Sequence, residues 1–200
     1  KGEAPDWQRL FERRETYRLG TVPLGGLVLT AGVDVHKDRL EAEVVAWGQN
    51  RESWSVDYQV FDGDPAKVET WQQLAKLLNT TFESEDGISR PISMMAVDAG
   101  YSTQEVYGWI RSQSKVMAVK GVGSLVPLAS PRKVDVTVFG QKLKRGVKLW
   151  PVGVSILKTE LYNFLNLTRE ENGFPAGYCH FPYYDPEYFK QLTAEQLVTR

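Results

Sequence analysis

Between Leu27 and Phe61 the apolar residues recur at every second position, in three runs separated by short polar turns. In the first run Leu27, Leu29, Ala31, Val33 and Val35 share one face, while Thr30, Gly32 and Asp34 share the other. A period of two belongs to strands and not to helices. Leu40 to Trp47 and Ser53 to Phe61 repeat it, and the turns at His36-Lys37-Asp38 and Gly48-Gln49-Asn50 predict three antiparallel strands joined by hairpins. The period then changes. After Pro65, the residues Val68, Trp71, Leu74, Ala75, Leu77 and Leu78 fall at helical spacing, which predicts an amphipathic helix lying across the sheet. A buried-type strand from Ile92 to Val97 ends at Asp98, Ser102 or Thr103 is placed to cap a helix running to Arg111, and Lys115 to Lys120 reads as another strand.

The order β-β-β-α-β-α-β describes an α/β chain with a mixed sheet flanked by helices. It is similar to the order of a ribonuclease H-like fold. There the first strand lies at the sheet centre, and the strand after the first long helix pairs beside it, which would bring Asp34 and Asp98 together. Neither side chain is needed for folding. Two carboxylates about 4 Å apart repel by roughly 4 kcal/mol at an effective dielectric of 20, so such a pair calls for a proton or a cation. All-oxygen ligands select magnesium or manganese, and two such ions clamp the attacking and leaving oxygens of a phosphodiester during hydrolysis. The competing reading makes both residues ordinary strand-end aspartates that bond to nearby backbone.

Other polar residues are weighed in the same way. Glu41 and Glu43 lie on the strand face opposite Leu40, Ala42 and Val44. Glu43 is a candidate auxiliary to a metal across the hairpin, against the reading of a solvated face. His36 is a turn histidine, and His180 has no second histidine or cysteine at ligand spacing, which argues against zinc. Lys120 ends a strand beside glycines and is a second candidate auxiliary, placed to meet a phosphate. The phosphate loop GxxxxGK[ST] occurs nowhere, so this stretch holds no ordinary ATPase motor. No nucleophile elbow with a Ser-His-Asp set appears either.

Net charge is −1, so any nucleic-acid surface has to be local. Arg132 to Lys148 supplies one: Arg132, Lys133, Lys142, Lys144, Arg145 and Lys148 stand against a single acid, Asp135, and Gly140 divides the segment into two β-like arms. A basic β-hairpin inserted in the domain fits a phosphate backbone, whose contacts are sequence-independent and weaken with salt. The alternative is an edge strand kept from aggregating by its lysines. After it come a strand from Leu149 to Val154, a helix from Ile156 to Leu165 with Leu157, Leu161, Phe164 and Leu165 inward, and a short helix from Pro186 to Leu192.

The chain's 200 residues suit one domain that hides about 70% of its unfolded surface. Residues 1–26 read as an arm that packs Trp7, Leu10 and Phe11 onto a domain spanning 27–200; without an initiator methionine, the chain reads as a fragment with something upstream. One cysteine, Cys179, allows no internal disulfide, and no apolar stretch reads as a signal or a membrane span, which points to reducing cytosol.

An ordered set of motifs then becomes recognisable: LTAGVDVHKDRLEAEVVAWG, MAVDAGYSTQEVY, AVKG, LWPVGVSILKTELY, CHFP and QLTAE. Together with the lead-in GEAPDWQRLFERRETYRLGTVP, they resemble the nuclease region of the lambda-like phage terminase large subunit, over nearly the whole chain. The resemblance implies a metal-dependent endonuclease, using Mg2+ or Mn2+ in a two-metal site, that cuts concatemeric viral DNA. It also implies an upstream ATPase domain, double-stranded viral DNA, a terminase small subunit and a portal protein as partners, no membrane, and the host bacterial cytoplasm. By position Asp34 and Asp98 match the family's first two acidic ligands. The third stands in an Asn-Glu-Ala-Leu-Asp-like segment downstream of QLTAE, past Arg200. Ser155 replaces an acid frequent in related sequences and receives no catalytic role. GVDVHKD alone also resembles transposases with a resolvase-like (RuvC-like) nuclease domain, and HFP and QLTAE favour the terminase. A non-catalytic DNA-binding or docking module of nuclease-like fold stays open, while an actin-like kinase lacks its glycine-rich phosphate turns.

Overall fold

The computed structural model describes residues 4–123, 126–138 and 140–194. Helix α1 (Trp7–Glu12) is capped by Asp6, whose side chain accepts from the Gln8 amide at 3.0 Å. After the two-residue strand β1 (Thr21–Val22), the alternating runs form β2 (Val28–Val35), β3 (Arg39–Trp47) and β4 (Ser53–Asp62), paired as antiparallel neighbours. The first turn closes with the His36 amide donating to the Arg39 carbonyl at 3.0 Å. Leu29, Ala31, Val33 and Val35 are buried against Leu40, Ala42, Val44 and Ala46, so alternation and burial agree. Leu27, expected inward, lies before the strand and is exposed.

Pro65 does not open the next helix; α2 (Val68–Leu78) starts three residues later. Asp64 explains the delay, because its side chain takes the Ala66 amide at 2.8 Å and its carbonyl takes the Lys67 amide at 2.9 Å. That turn leaves the Pro65 carbonyl for the Trp71 indole at 2.7 Å. The helix buries Trp71, Leu74 and Leu77 against the sheet. Strand β5 (Thr81–Ser84) pairs with β1 and with the start of β6 (Ser89–Asp98). Sequence reasoning missed β5 because its four residues, TFES, carry one apolar side chain.

The rest follows as α3 (Thr103–Ile110), three strands β7 (Val116–Val122), β8 (Arg132–Val138) and β9 (Gln141–Gly153), then α4 (Val154–Leu165), β10 (Cys179–His180) and α5 (Pro186–Leu192). The sheet runs β10-β4-β3-β2-β6-β7-β9-β8, with β1 and β5 attached beside β6. Neighbours from β2 to β9 are parallel, and antiparallel pairs flank them. Thus the protein is an α/β mixed sheet flanked by helices. The expected second arm and the strand from Leu149 prove to be one strand, β9, which bends at Arg145. There φ is +55°, and the Arg145 amide donates to Asp135 at 3.0 Å.

Two cores result. The larger lies between the sheet and the helices α2 and α3, whose Trp71 and Trp109 stack at 5.3 Å. The second joins Leu10, Tyr162, Leu165, Cys179, Phe181, Tyr184, Tyr188 and Phe189 from α1, the end of α4, β10 and α5. Arg9 donates to the Asn166 carbonyl at 2.7 Å and Arg13 to the Leu167 carbonyl at 2.7 Å, which satisfies carbonyls where α4 ends. Helix α4 departs from its expected packing. Leu157 and Leu161 are each 38% exposed, while Tyr162 and Leu165 are its buried residues, because only its last turn and a half meets the second core.

Candidate functional site

The parallel register of β2 and β6 pairs Gly32 with Ala96 and Val33 with Val97. One step further along each strand come Asp34 and Asp98, so the two candidate ligands stand on neighbouring central strands at their carboxyl ends. Adjacent strands lie about 4.8 Å apart, and open α/β sheets bind ligands at this end. Alternation fixes the side. Val33 and Val97 point into the large core, and Asp34 and Asp98 take the opposite face with Gly32 and Ala96. A side chain at Gly32 would meet nothing within 4 Å, which leaves the floor below the carboxylates open.

Each carboxylate gives one oxygen to a local amide. Asp34 Oδ1 accepts from Val35 at 2.9 Å, and Asp98 Oδ1 accepts from Gly100 at 3.1 Å. A Cβ at Gly100 would lie 3.0 Å from Asp98 Oδ2 and crowd the carboxylate. The Ala99 amide donates to the Val119 carbonyl at 2.8 Å and ties this turn to β7. The second oxygen of Asp34 lies 3.3 Å from His36 Nε2, whereas among the described residues no side chain hydrogen-bonds or ion-pairs with Asp98. Carboxylate oxygens on one open face are hard donors and fit a magnesium- or manganese-type ion. Among the described residues no set of three His, Cys, Asp or Glu side chains converges to hold a metal.

Glu41 pairs with Asp34 across the hairpin. It accepts from Arg39 Nε at 2.7 Å and from the Tyr58 hydroxyl at 2.6 Å. Burial disfavours its charge, yet the bonds from Tyr58 and Arg39 outweigh burial and hold its pKa below the ordinary value. Glu43, opposite Gly32, is enclosed instead. Its carboxylate takes the Ser55 hydroxyl at 2.6 Å and the Tyr188 hydroxyl at 2.5 Å, and burial raises its pKa despite those two bonds. It ties β3 to α5.

Val119 pairs with Asp98, so Lys120 is the next residue of β7 and takes the alternate face. The basic segment forms the antiparallel pair β8 and β9 with a turn at Gly140, where φ is +75°. Val119 also pairs with Trp150, and Lys148, two residues before Trp150, therefore shares the face of Asp98. Its partner Lys133 shares it too. Arg132 pairs with the buried Leu149 and so takes the helix side, where it lowers the pKa of Tyr107 against the dominant upward effect of burial. Lys142 ion-pairs with Asp135 at 3.1 Å, and Lys144 and Arg145 are exposed at the bend.

His180, unremarkable in the sequence, is buried between two acids: Glu15 is 2.5 Å from Nδ1 and Glu52 is 2.8 Å from Nε2, with the ring stacked on Trp54. It fastens the N-terminal segment to the β4 edge, far in sequence from the carboxylates. Sequence reasoning also missed the pair holding Glu41. The Arg39-Leu40-Glu41 spacing carried a readable signal, because i and i+2 share a strand face. Tyr58 did not, since its register depends on an irregularity between Val44 and Val45. Glu195 of QLTAE and the third acid expected past Arg200 lie outside the described residues.

The family described as "Terminase large subunit gpA, endonuclease domain" matches the chain over residues 1–200. A terminase large subunit of Escherichia phage lambda is 33% identical over 213 residues, covering 100% of this chain and 31% of the relative. That of Enterobacteria phage P21 is 30% identical over 202 residues, covering 98% of this chain and 30% of the relative. The chain thus spans under a third of the length of these relatives. No solved structure matches it significantly.

Proposed function

The chain belongs to the terminase large subunit gpA endonuclease-domain family, and on that footing we propose that it is a metal-dependent DNA endonuclease of ribonuclease H-like type that cuts concatemeric viral DNA for packaging. The observation that carries the reading is the register of β2 and β6, with Asp34 and Asp98 on one open face at the centre of the sheet. Asp34 and Asp98 would hold two Mg2+ or Mn2+ ions. Bound divalent ions supply charge to the phosphodiester and a more acidic attacking water. The protein's own residues do the rest. The amides of Val35 and Gly100 hold the carboxylates in place, and Gly32 and Ala96 leave room for a phosphate above the sheet. Lys133 and Lys148, on the same face, draw the DNA backbone down, with Lys142, Lys144 and Arg145 around the hairpin. In the whole phage protein the partners would be double-stranded viral DNA, a terminase small subunit and a portal protein, in the host cytoplasm.

Supercoiled plasmid tests this. Nicked and linear products are expected with Mn2+ or Mg2+, none with EDTA, and a return of products when metal is restored. Plasmid that is bound but never nicked under any metal, by a chain carried past Arg200 to include the third acid, would overturn the nuclease reading. It would leave the second one, a DNA-gripping module of nuclease-like fold without catalysis. The lysines have their own readout. Lys133→Ala with Lys148→Ala should lower the slope of log affinity against log salt by about 1 per lysine. Binding curves at several salt concentrations measure it, and an unchanged slope removes these lysines from the interface.

A further inference from the structure

Three acids stand in a row on adjacent strands: Glu41 on β3, Asp34 on β2 and Asp98 on β6. A divalent ion attracted to paired carboxylates therefore has two places to go, one on either side of Asp34. The two sides are built differently. On the Glu41 side His36 fills the gap, with Nε2 3.3 Å from Asp34 Oδ2 and 3.4 Å from Glu41 Oε1. Glu41 is itself occupied by Arg39 and Tyr58, and its side chain is only 15% exposed. On the Asp98 side, among the described residues, no side chain bonds to the carboxylate and no donor reaches Asp98 Oδ2.

Resting on the reading of Asp34 as a metal ligand, we propose that His36 is a positioning residue: it closes the Asp34–Glu41 gap and so directs the divalent ion to the Asp34–Asp98 side. The role is one of occupancy. An imidazole ring between the two carboxylates takes up the space in which a metal ion would otherwise bridge them. It also holds Asp34 at its Oδ2 edge, while the Val35 amide holds Oδ1. Arg39 and Tyr58 serve the same end by fixing Glu41, so the device runs from the second core, where Tyr58 packs on Tyr188, out to the exposed aspartate. His36 touches neither scissile phosphate nor metal in this scheme.

The test is Mn2+ binding by calorimetry to the wild-type chain, His36→Ala, His36→Gln and the double variant His36→Ala with Glu41→Gln. Removing the imidazole should bring several-fold tighter Mn2+ uptake, and removing the Glu41 charge as well should cancel that gain. Glutamine at position 36, which fills the gap, should restore wild-type behaviour. In the plasmid assay His36→Ala should cleave more slowly at saturating Mn2+ despite binding it better, a split that simple loss of structure does not produce. Paramagnetic broadening by Mn2+ gives a measurement free of the double variant. It should centre on the amides of Val35, Ala99 and Gly100 in the wild type, and spread to Glu41 in His36→Ala. An isotherm for His36→Ala superimposable on wild type, or a gain that survives Glu41→Gln, overturns the proposal. Failure of the nuclease reading looks different: Asp98→Asn would then leave the wild-type isotherm unchanged, whereas His36→Ala would still show its gain.

Discussion

Asp34→Asn and Asp98→Asn will each leave a folded protein that binds plasmid DNA and does not cut it. Each change keeps the shape of the side chain and an oxygen to accept the Val35 or Gly100 amide, but it removes the charge that would recruit a divalent ion. If the ion's contribution to the barrier is about 4 kcal/mol, the rate falls by on the order of 10³-fold. Stability should stay within about 0.5 kcal/mol, because Asp34 is an open surface position and neither residue is part of either core. Asparagine at position 34 also removes the only charge facing His36 from β2, so the imidazole should turn wholly to Glu41. Cleavage time courses beside thermal melts separate the two effects. A variant that melts like the wild type and still cuts at the wild-type rate would end the assignment of that residue.

Phe189→Ala is the substitution expected to cost the most stability, about 3–5 kcal/mol for a buried aromatic. Phe189 is fully buried and meets Phe11, Phe181 and Tyr188 edge to face at 6.0, 5.5 and 5.1 Å. One ring therefore joins α1, the segment after β10 and α5, and truncation leaves a cavity that three separate pieces of chain would have to collapse to fill. A domain's whole stability is about 5–15 kcal/mol, so the loss is a large share of it. Urea midpoints will measure it, with Leu24→Ala, at a residue 65% exposed, as the neutral control. A midpoint for Phe189→Ala close to that control would mean that the second core is not cooperative with the sheet.

Much of the sheet was readable because its physics is local. Alternation located β2, β3 and β4, helical spacing located α2, and the apolar run before Asp98 located β6. Neighbourhood in the sheet was not local. It followed from element order and from the way a helix returns a strand to lie parallel beside an earlier one. Misreadings fell where a pattern cannot report distance. Leu157 and Leu161 lie on an apolar stripe, yet α4 meets the core only in its last turn and a half, at Tyr162 and Leu165. Four residues of β5 are too few to show a period. His180 was legible only as a residue without metal-ligand spacing, because Glu15 and Glu52 reach it from far along the chain. His36 and Glu41 were both visible, but that one stands between the other and Asp34 needed the pairing of two strands.

The shared face of Asp98, Lys148 and Lys133 also sets a ruler. Three strand spacings separate β6 from β8, about 14 Å, which matches the rise of some four base pairs. A duplex gripped by those lysines would be anchored to one flank of the scissile bond and barely touched on the other. The minimal substrate should thus be lopsided, tolerating a short overhang on the β3 flank and demanding several paired nucleotides toward β8.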